Sequence, residues 1–218
     1  MGEPTLPEPY YDHAGITIYH ADCRHILPFL GCFDLLLTDP PYGIGESSKK
    51  NATRGREAYV RDYGHYDWDK EPVDAWVMEL ARSLCDKQII FGGNYYSLPP
   101  CRGPLIWDKE NGGTDFADGE LAWNNLGTAL RIKRHLWNGM LRKGGEERHH
   151  PTQKPLAVIQ WALGLAGDVA TVLDPWAGSG TTGRAAKDAG KQAVLIEREE
   201  RNCEIAARRM SQEVLPLS

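Results

Sequence analysis

The sequence predicts an α/β fold built on a largely parallel sheet. Short β-rich apolar segments alternate with helical patterns from about residue 16 to 210, and two of those segments run directly into loops rich in glycine or proline. Taken in order, strands are expected over Ile16 to His20, Asp34 to Thr38, Gln88 to Phe91, Pro104 to Trp107, Thr128 to Lys133, Thr171 to Leu173 and Gln192 to Ile196. Helices are expected over Val73 to Leu84, Pro155 to Leu165, Thr182 to Ala189 and Glu199 to Met210. Pro155 suits a first helical turn, where its missing N–H would have had no intrahelical partner. The last helix opens on acids and carries Arg208 and Arg209 near its end, as the helix dipole prefers. The sheet is expected to be mixed at most at one edge.

With 218 residues and 41% hydrophobic content, the expectation is one domain over residues 1–218. No apolar run approaches a membrane span, and the acidic, proline-bearing start lacks a basic n-region, so a cytoplasmic protein is expected, in a bacterial or phage-infected cell. The five cysteines form no CxxC pair and no metal-ligand spacing, which reads as reduced thiols and no metal. The net charge of -5 argues against a protein that coats nucleic acid nonspecifically. Basic residues nevertheless cluster. Lys49, Lys50, Arg54, Arg56 and Arg61 lie among Tyr59, Tyr63 and Tyr66, and Arg131, Lys133, Arg134, Arg142, Lys143 and Arg148 surround Trp137. Both groups fall in the polar connections of about 43–70 and 110–150, which are expected to be mobile or substrate-contacting loops.

Three motifs carry chemistry. Asp39-Pro40-Pro41-Tyr42 follows an apolar strand, at the end where open α/β sheets place ligands. Successive prolines remove two backbone donors and leave carbonyls as acceptors, Asp39 adds an anionic acceptor, and Tyr42 adds a face for a planar ring. Taken alone, such a stretch is also common loop punctuation. The second motif, Asp174-Pro175-Trp176-Ala177-Gly178-Ser179-Gly180-Thr181-Thr182, links a strand to a helix, and its glycines permit close ligand approach. Glu197, at the end of the next strand, can take both hydroxyls of a ribose, so the pair reads as an adenosine-type cofactor site. Gly178, Gly180 and Gly183 also satisfy GxGxxG, which leaves a nicotinamide-dependent oxidoreductase as a distant alternative; a P-loop is excluded by the absence of a lysine before Thr181. The third, His150-Pro151-Thr152-Gln153-Lys154-Pro155, enters a helix and can hold a carboxylate there.

In this order the motifs resemble those of the β group of DNA amino-methyltransferases. His20-Ala21-Asp22-Cys23 resembles the family's GDC strand end, and Phe91 to Tyr95 and Trp107 to Trp123 resemble segments flanking its base pocket. The resemblance implies a Rossmann-like, S-adenosylmethionine-dependent methyltransferase fold: a seven-stranded, mostly parallel sheet with helices on both faces, circularly permuted. It implies S-adenosylmethionine as cofactor, with Asp22 and Cys23 at the adenine and Glu197 at the ribose. Asp39, Thr152, Lys154, Asp174, Ala177, Gly178, Ser179, Gly180, Thr181 and Thr182 then surround the methionine part. Asp39, Pro40, Pro41 and Tyr42 become the catalytic residues, acting on a base flipped from the stack. Adenine N6 in DNA is the expected target, with cytosine N4 as the alternative. Trp176 stands where the family pattern has phenylalanine, and the chain leaves no room for a large target-recognition insert. DNA contacts are therefore expected from Lys49, Lys50, Arg54, Arg56, Arg134, Arg142 and Lys143, with a homodimer as a further option.

Overall fold

The computed structural model describes residues 5–43, 72–112, 117–138, 141–142 and 153–212. The chain enters through β1 (Tyr11–His13) and β2 (Ile16–His20), an antiparallel hairpin closed by Ala14 and Gly15. Both turn residues have positive φ, 51° and 79°, as a two-residue hairpin turn demands. A short helix, α1 (Cys23–Ile26), follows, capped by the Asp22 carboxylate on Arg24 N–H. β3 (Phe33–Thr38), α2 (Ala75–Ser83) and β4 (Cys85–Phe91) come next, then β5 (Leu105–Asp108), β6 (Gly119–Asn124), β7 (Arg131–Arg134) and the small hairpin β8 (Trp137–Asn138) with β9 (Leu141–Arg142). The C-terminal part holds α3 (Leu156–Leu165), β10 (Thr171–Asp174), α4 (Thr181–Asp188), β11 (Gln192–Glu197) and α5 (Glu200–Ser211).

Spatial order departs from chain order, and that departure makes the site. The main sheet runs β1-β2-β11-β10-β3-β4-β6-β5-β7, so the last two strands of the chain insert between β2 and β3. This is the circularly permuted arrangement. β2, β11, β10, β3 and β4 are mutually parallel, and their carboxyl ends share one edge. The β10–β3 register is pinned at both ends. Asp34 Oδ2 accepts the Thr171 N–H and hydroxyl at the amino end, and Thr38 donates to Asp174 at the carboxyl end.

The expected seven-strand arrangement spans β2 through β5, and β1 and β7 extend it to nine strands. Two strands are reversed: β1 at one edge, where mixing was expected, and β6 inside the sheet, where it was not, antiparallel to both β4 and β5. Its residues, Gly-Glu-Leu-Ala-Trp-Asn, include no β-branched side chain, and pairing on two sides overrides that weak propensity.

Alternation along the strands feeds two cores. Leu35 and Leu37 pack with Val158, Ala162, Ala185, Cys203 and Ala206 beneath α3, α4 and α5, while Leu36 packs with Ile26, Val77 and Ala81 beneath α1 and α2. All three leucines are completely buried, each contributing roughly 1.5–3 kcal/mol of transfer free energy. No helix among the described residues is long and apolar enough to cross a membrane.

Candidate active site

Strand ends deliver four carboxylates to the open edge of the sheet, and the segment entering α3 delivers Lys154. β2 leads to Asp22, β3 to Asp39, β10 ends on Asp174 and β11 on Glu197. β6, running the other way, brings its first residues to this edge, so Glu120 stands opposite Trp107 and one residue from the end of β5.

Around Asp39 the polar groups form a closed cluster. The Tyr42 hydroxyl donates to Asp39 Oδ1 at 2.5 Å, and the Lys154 ammonium donates to Oδ2 at 2.5 Å. Lys154 is 6% exposed and Asp39 24%, so the pair sits at the bottom of a cleft. The same ammonium is 3.3 Å from the Tyr42 oxygen and 3.0 Å from Glu120 Oε2, and Lys109 lies 2.5 Å from Glu120 Oε1. Tyr42 stacks on Tyr95 with centroids 4.8 Å apart and planes 18° from parallel. The Tyr96 hydroxyl donates to the Pro41 carbonyl and so ties the proline loop to the segment after β4.

Gly92 makes this stacking arrangement fit. Its φ is +63°, and a Cβ there would lie 2.0 Å from Tyr42 Cε1.

Burial works against each charge, and the neighbours decide the outcome. It pushes the Asp39 carboxyl above the usual aspartate value, with Lys154 opposing. Burial also disfavours the Lys154 ammonium, but Asp39 and Glu120 outweigh it and hold the amine well above an ordinary lysine. Glu120 is half-buried, and its desolvation is outweighed by Lys154 and Lys109, which together pull it down to about 2. Tyr42 is driven up by burial and then by Asp39, so it remains a hydroxyl donor.

Next to this cluster lies a cavity of about 470 Å³. It is lined by Asp22, Cys23 and Arg24 after β2, Glu197 and Asn202 after β11, Pro175 to Ser179 after β10, and Asp39 with Lys154. Glu197 accepts the Gly178 N–H at 2.8 Å on Oε2 and the Glu199 N–H at 2.8 Å on Oε1, so one oxygen is fixed to the glycine loop and the other to the start of α5. Gly178, at φ +51°, has nothing within 4 Å of the position a Cβ would take, so that side of the loop is open. Burial raises the Asp174 carboxyl to about 6 despite hydrogen bonds from Thr38, Thr182 and Trp176 N–H.

Most of the expected site residues converge here. Asp22, Cys23, Asp39, Lys154, Asp174, Ala177, Gly178, Ser179, Thr181, Thr182 and Glu197 all line the cavity, as does Trp176. Gly180 has a different task. A Cβ there would sit 2.7 Å from Ala206 Cβ, so it lets α4 pack against α5. Thr152 and the basic residues Lys49, Lys50, Arg54, Arg56 and Lys143 lie outside the described residues, as do the Arg142 side chain and most of the expected 43–70 connection. Arg134 is on β7, 76% exposed and 3.3 Å from Asp108. Trp137, grouped in the sequence with that basic run, is buried in the larger core.

Asn202 and Tyr96 were not evident from the sequence; Gln153 stood in the third motif, and Lys109 and Glu120 fell within the Trp107 to Trp123 segment without being singled out. Glu120 and Lys109 sit in a stretch that reads as a polar connection, and only strand register brings them to Lys154.

The family model for DNA methylase, N6_N4_Mtase, matches residues 67–208. The type II methyltransferase M.ScaI of Streptomyces caespitosus is 26% identical over 97% of this chain and 86% of its own length. The type II methyltransferase M.HinfI of Haemophilus influenzae is 28% identical over 89% of this chain and 68% of its own. Among solved structures, the M1.HpyAVI–SAM complex aligns with a TM-score of 0.60 at 23% identity, covering 90% of this chain and all of that one, a likeness of fold.

Proposed function

The chain belongs to the N6/N4 DNA methylase family, and on that premise we propose that it transfers a methyl group from S-adenosylmethionine to the exocyclic N6 of adenine in DNA. The observation that carries the reading is the adjacency of two sites at one sheet edge: an amine-accepting cluster on Asp39 and an adenosine-sized cavity lined by the same side chain. A nicotinamide-dependent oxidoreductase would leave the Asp39 cluster without a role.

The cavity suits S-adenosylmethionine by its donor set. Glu197, already oriented by two backbone N–H groups, is an acceptor for ribose hydroxyls, and Asp22 at the end of β2 faces the same space. The open Gly178 side of the loop admits a ligand against the backbone, and Ser179, Thr181 and Gln153 offer polar groups for its amino-acid end. When bound, the cofactor supplies an electrophilic methyl on a sulfonium.

Asp39 accepts one N–H of the target amine, which localises a nitrogen lone pair otherwise spread into the ring. With the Pro41 carbonyl taken by Tyr96, the Pro40 carbonyl is the loop acceptor for the second N–H. Tyr42, with Tyr95 stacked on it, provides the aromatic platform for a base taken out of the helix. Positioning and preorganised charge do the work, and no covalent intermediate is needed. The thiols agree: burial raises Cys23, Cys85 and Cys203 to about 12, far from a reactive thiolate. Arg131 and Arg134 on the exposed β7 edge, together with the basic residues near 49–56 and 142–143, are the proposed phosphate contacts. A second copy of the chain is a further candidate for enlarging that DNA-facing surface.

The test is incubation with labelled S-adenosylmethionine and unmethylated duplex DNA, digestion to nucleosides and identification of the product by mass. N6-methyladenine is expected. N4-methylcytosine would keep the mechanism and change the base, and no methylated base despite cofactor binding would overturn the reading.

A further inference from the structure

Three acceptors surround the Lys154 ammonium, and it serves them unequally. It donates to Asp39 Oδ2 at 2.5 Å and to the Tyr42 oxygen at 3.3 Å. Glu120 Oε2 lies between these in distance, at 3.0 Å, as a buried ion-pair partner whose alignment with the ammonium is poorer than that of Asp39. An ammonium has three protons, so the Glu120 contact is the one that can tighten when the bond to Asp39 is given up. The other oxygen of Glu120 is occupied by Lys109 at 2.5 Å.

The atom that Lys154 fills is the one the reaction requires. Asp39 Oδ1 is taken by the Tyr42 hydroxyl and Oδ2 by Lys154, so the carboxylate has neither oxygen free of a donor. An incoming exocyclic amine is another N–H donor of similar reach, and it must displace one of them. Moving the lysine toward Glu120 keeps the ammonium in an ion pair, while Asp39 exchanges it for the neutral N–H of the amine and retains the Tyr42 hydroxyl.

We propose that Lys154 is a placeholder for the target amine: its ammonium holds Asp39 Oδ2 as seen here and is handed to Glu120 Oε2 when the base enters. The inference rests on the amine-methylation reading above and adds Lys154, Glu120 and Lys109 to it as positioning residues. It also gives the site a chemical filter. Only a group that donates N–H can replace the lysine on Asp39, whereas a base presenting a carbonyl oxygen there meets a carboxylate with no proton between them.

The test compares steady-state DNA methylation by wild type, Glu120→Gln, Lys109→Met, Lys154→Met and the Lys154→Met/Glu120→Gln double variant, with S-adenosylhomocysteine thermal stabilisation reporting the folded cofactor site in each. Glu120→Gln weakens the receiving seat and should raise KM for DNA about tenfold, with kcat changed less than about twofold, because bound substrate and transition state bear the same displacement cost. Lys109→Met leaves Glu120 short of a counter-charge, so Glu120 draws Lys154 harder and KM for DNA should fall. Without the lysine there is nothing to hand over, so Glu120→Gln should leave KM unchanged in the Lys154→Met background.

A Glu120→Gln enzyme that loses kcat at unchanged KM would overturn the proposal. So would a Lys109→Met enzyme with raised KM, or a Glu120→Gln effect of equal size with and without Lys154; each would mark a merely structural cluster. Should Glu120→Gln fail to fold, the opposite-signed Lys109→Met effect still decides. A wild type that methylates no base would instead bring down the underlying reading.

Discussion

Thr38 Oγ1 donates to Asp174 Oδ1 at 2.6 Å, joining the ends of two neighbouring strands, one leading to the amine-accepting loop and the other to the glycine loop. Both residues are buried, so the bond sets the spacing between the two halves of the site in a setting that water cannot loosen.

The burial that protects this bond makes Asp174 a pH-dependent liability. Its carboxyl titrates at about 6 in the folded chain against 3.8 ordinarily, so the native state holds the proton more tightly than the unfolded state. Stability therefore falls as pH rises from about 4 to about 6, and the penalty is fully present above that window. Asp174→Asn keeps an oxygen for Thr38 and the Trp176 N–H. It should flatten this part of the pH profile and raise stability at neutral pH by on the order of 2–3 kcal/mol at most. Denaturant unfolding of both proteins across the range checks it. Glu120, held at about 2 against 4.5, acts in the opposite sense, losing its contribution as pH falls below its ordinary value toward about 2.

Asp39→Ala removes the anionic acceptor from the cluster. Turnover should drop at least about a hundredfold, near 3 kcal/mol of transition-state stabilisation. The melting shift with S-adenosylhomocysteine should remain, since the larger part of the cavity wall is untouched. Near-normal turnover would reassign the role.

Glu197→Gln replaces an oxygen facing a backbone N–H with an amide NH₂, so either Gly178 in the glycine loop or Glu199 at the start of α5 loses its acceptor and Glu197's hold on the cavity wall is weakened. Calorimetry should find cofactor affinity weakened by about ten- to a hundredfold, with kcat at saturating cofactor much less affected.

Gly92→Ala forces a Cβ into the Tyr42 ring and a side chain onto a left-handed backbone. The strain costs about 1–3 kcal/mol of stability, read as a lowered melting temperature. Because Tyr42 is displaced from Asp39 and Tyr95, turnover should fall by at least about tenfold while cofactor binding persists.

Local physics made much of the protein readable in one dimension. The sequence alone determined the strand and loop pairs, β3 with Asp39 to Tyr42, β10 with Asp174 to Thr182 and β11 with Glu197, because apolar period, proline and glycine act within a few residues of themselves. It also placed the four longer helices to within two residues at each end. Tertiary structure alone decided what those segments meet. β6 has little intrinsic strand preference and exists because β4 and β5 pair with it from both sides; its reversed direction carries Glu120 to the edge where Lys109, Lys154 and Asp39 converge. The same holds for the glycines. Gly178 opens to a ligand, Gly180 lets two helices touch and Gly92 yields to a tyrosine ring, three uses of one freedom that depend on neighbours distant in the chain.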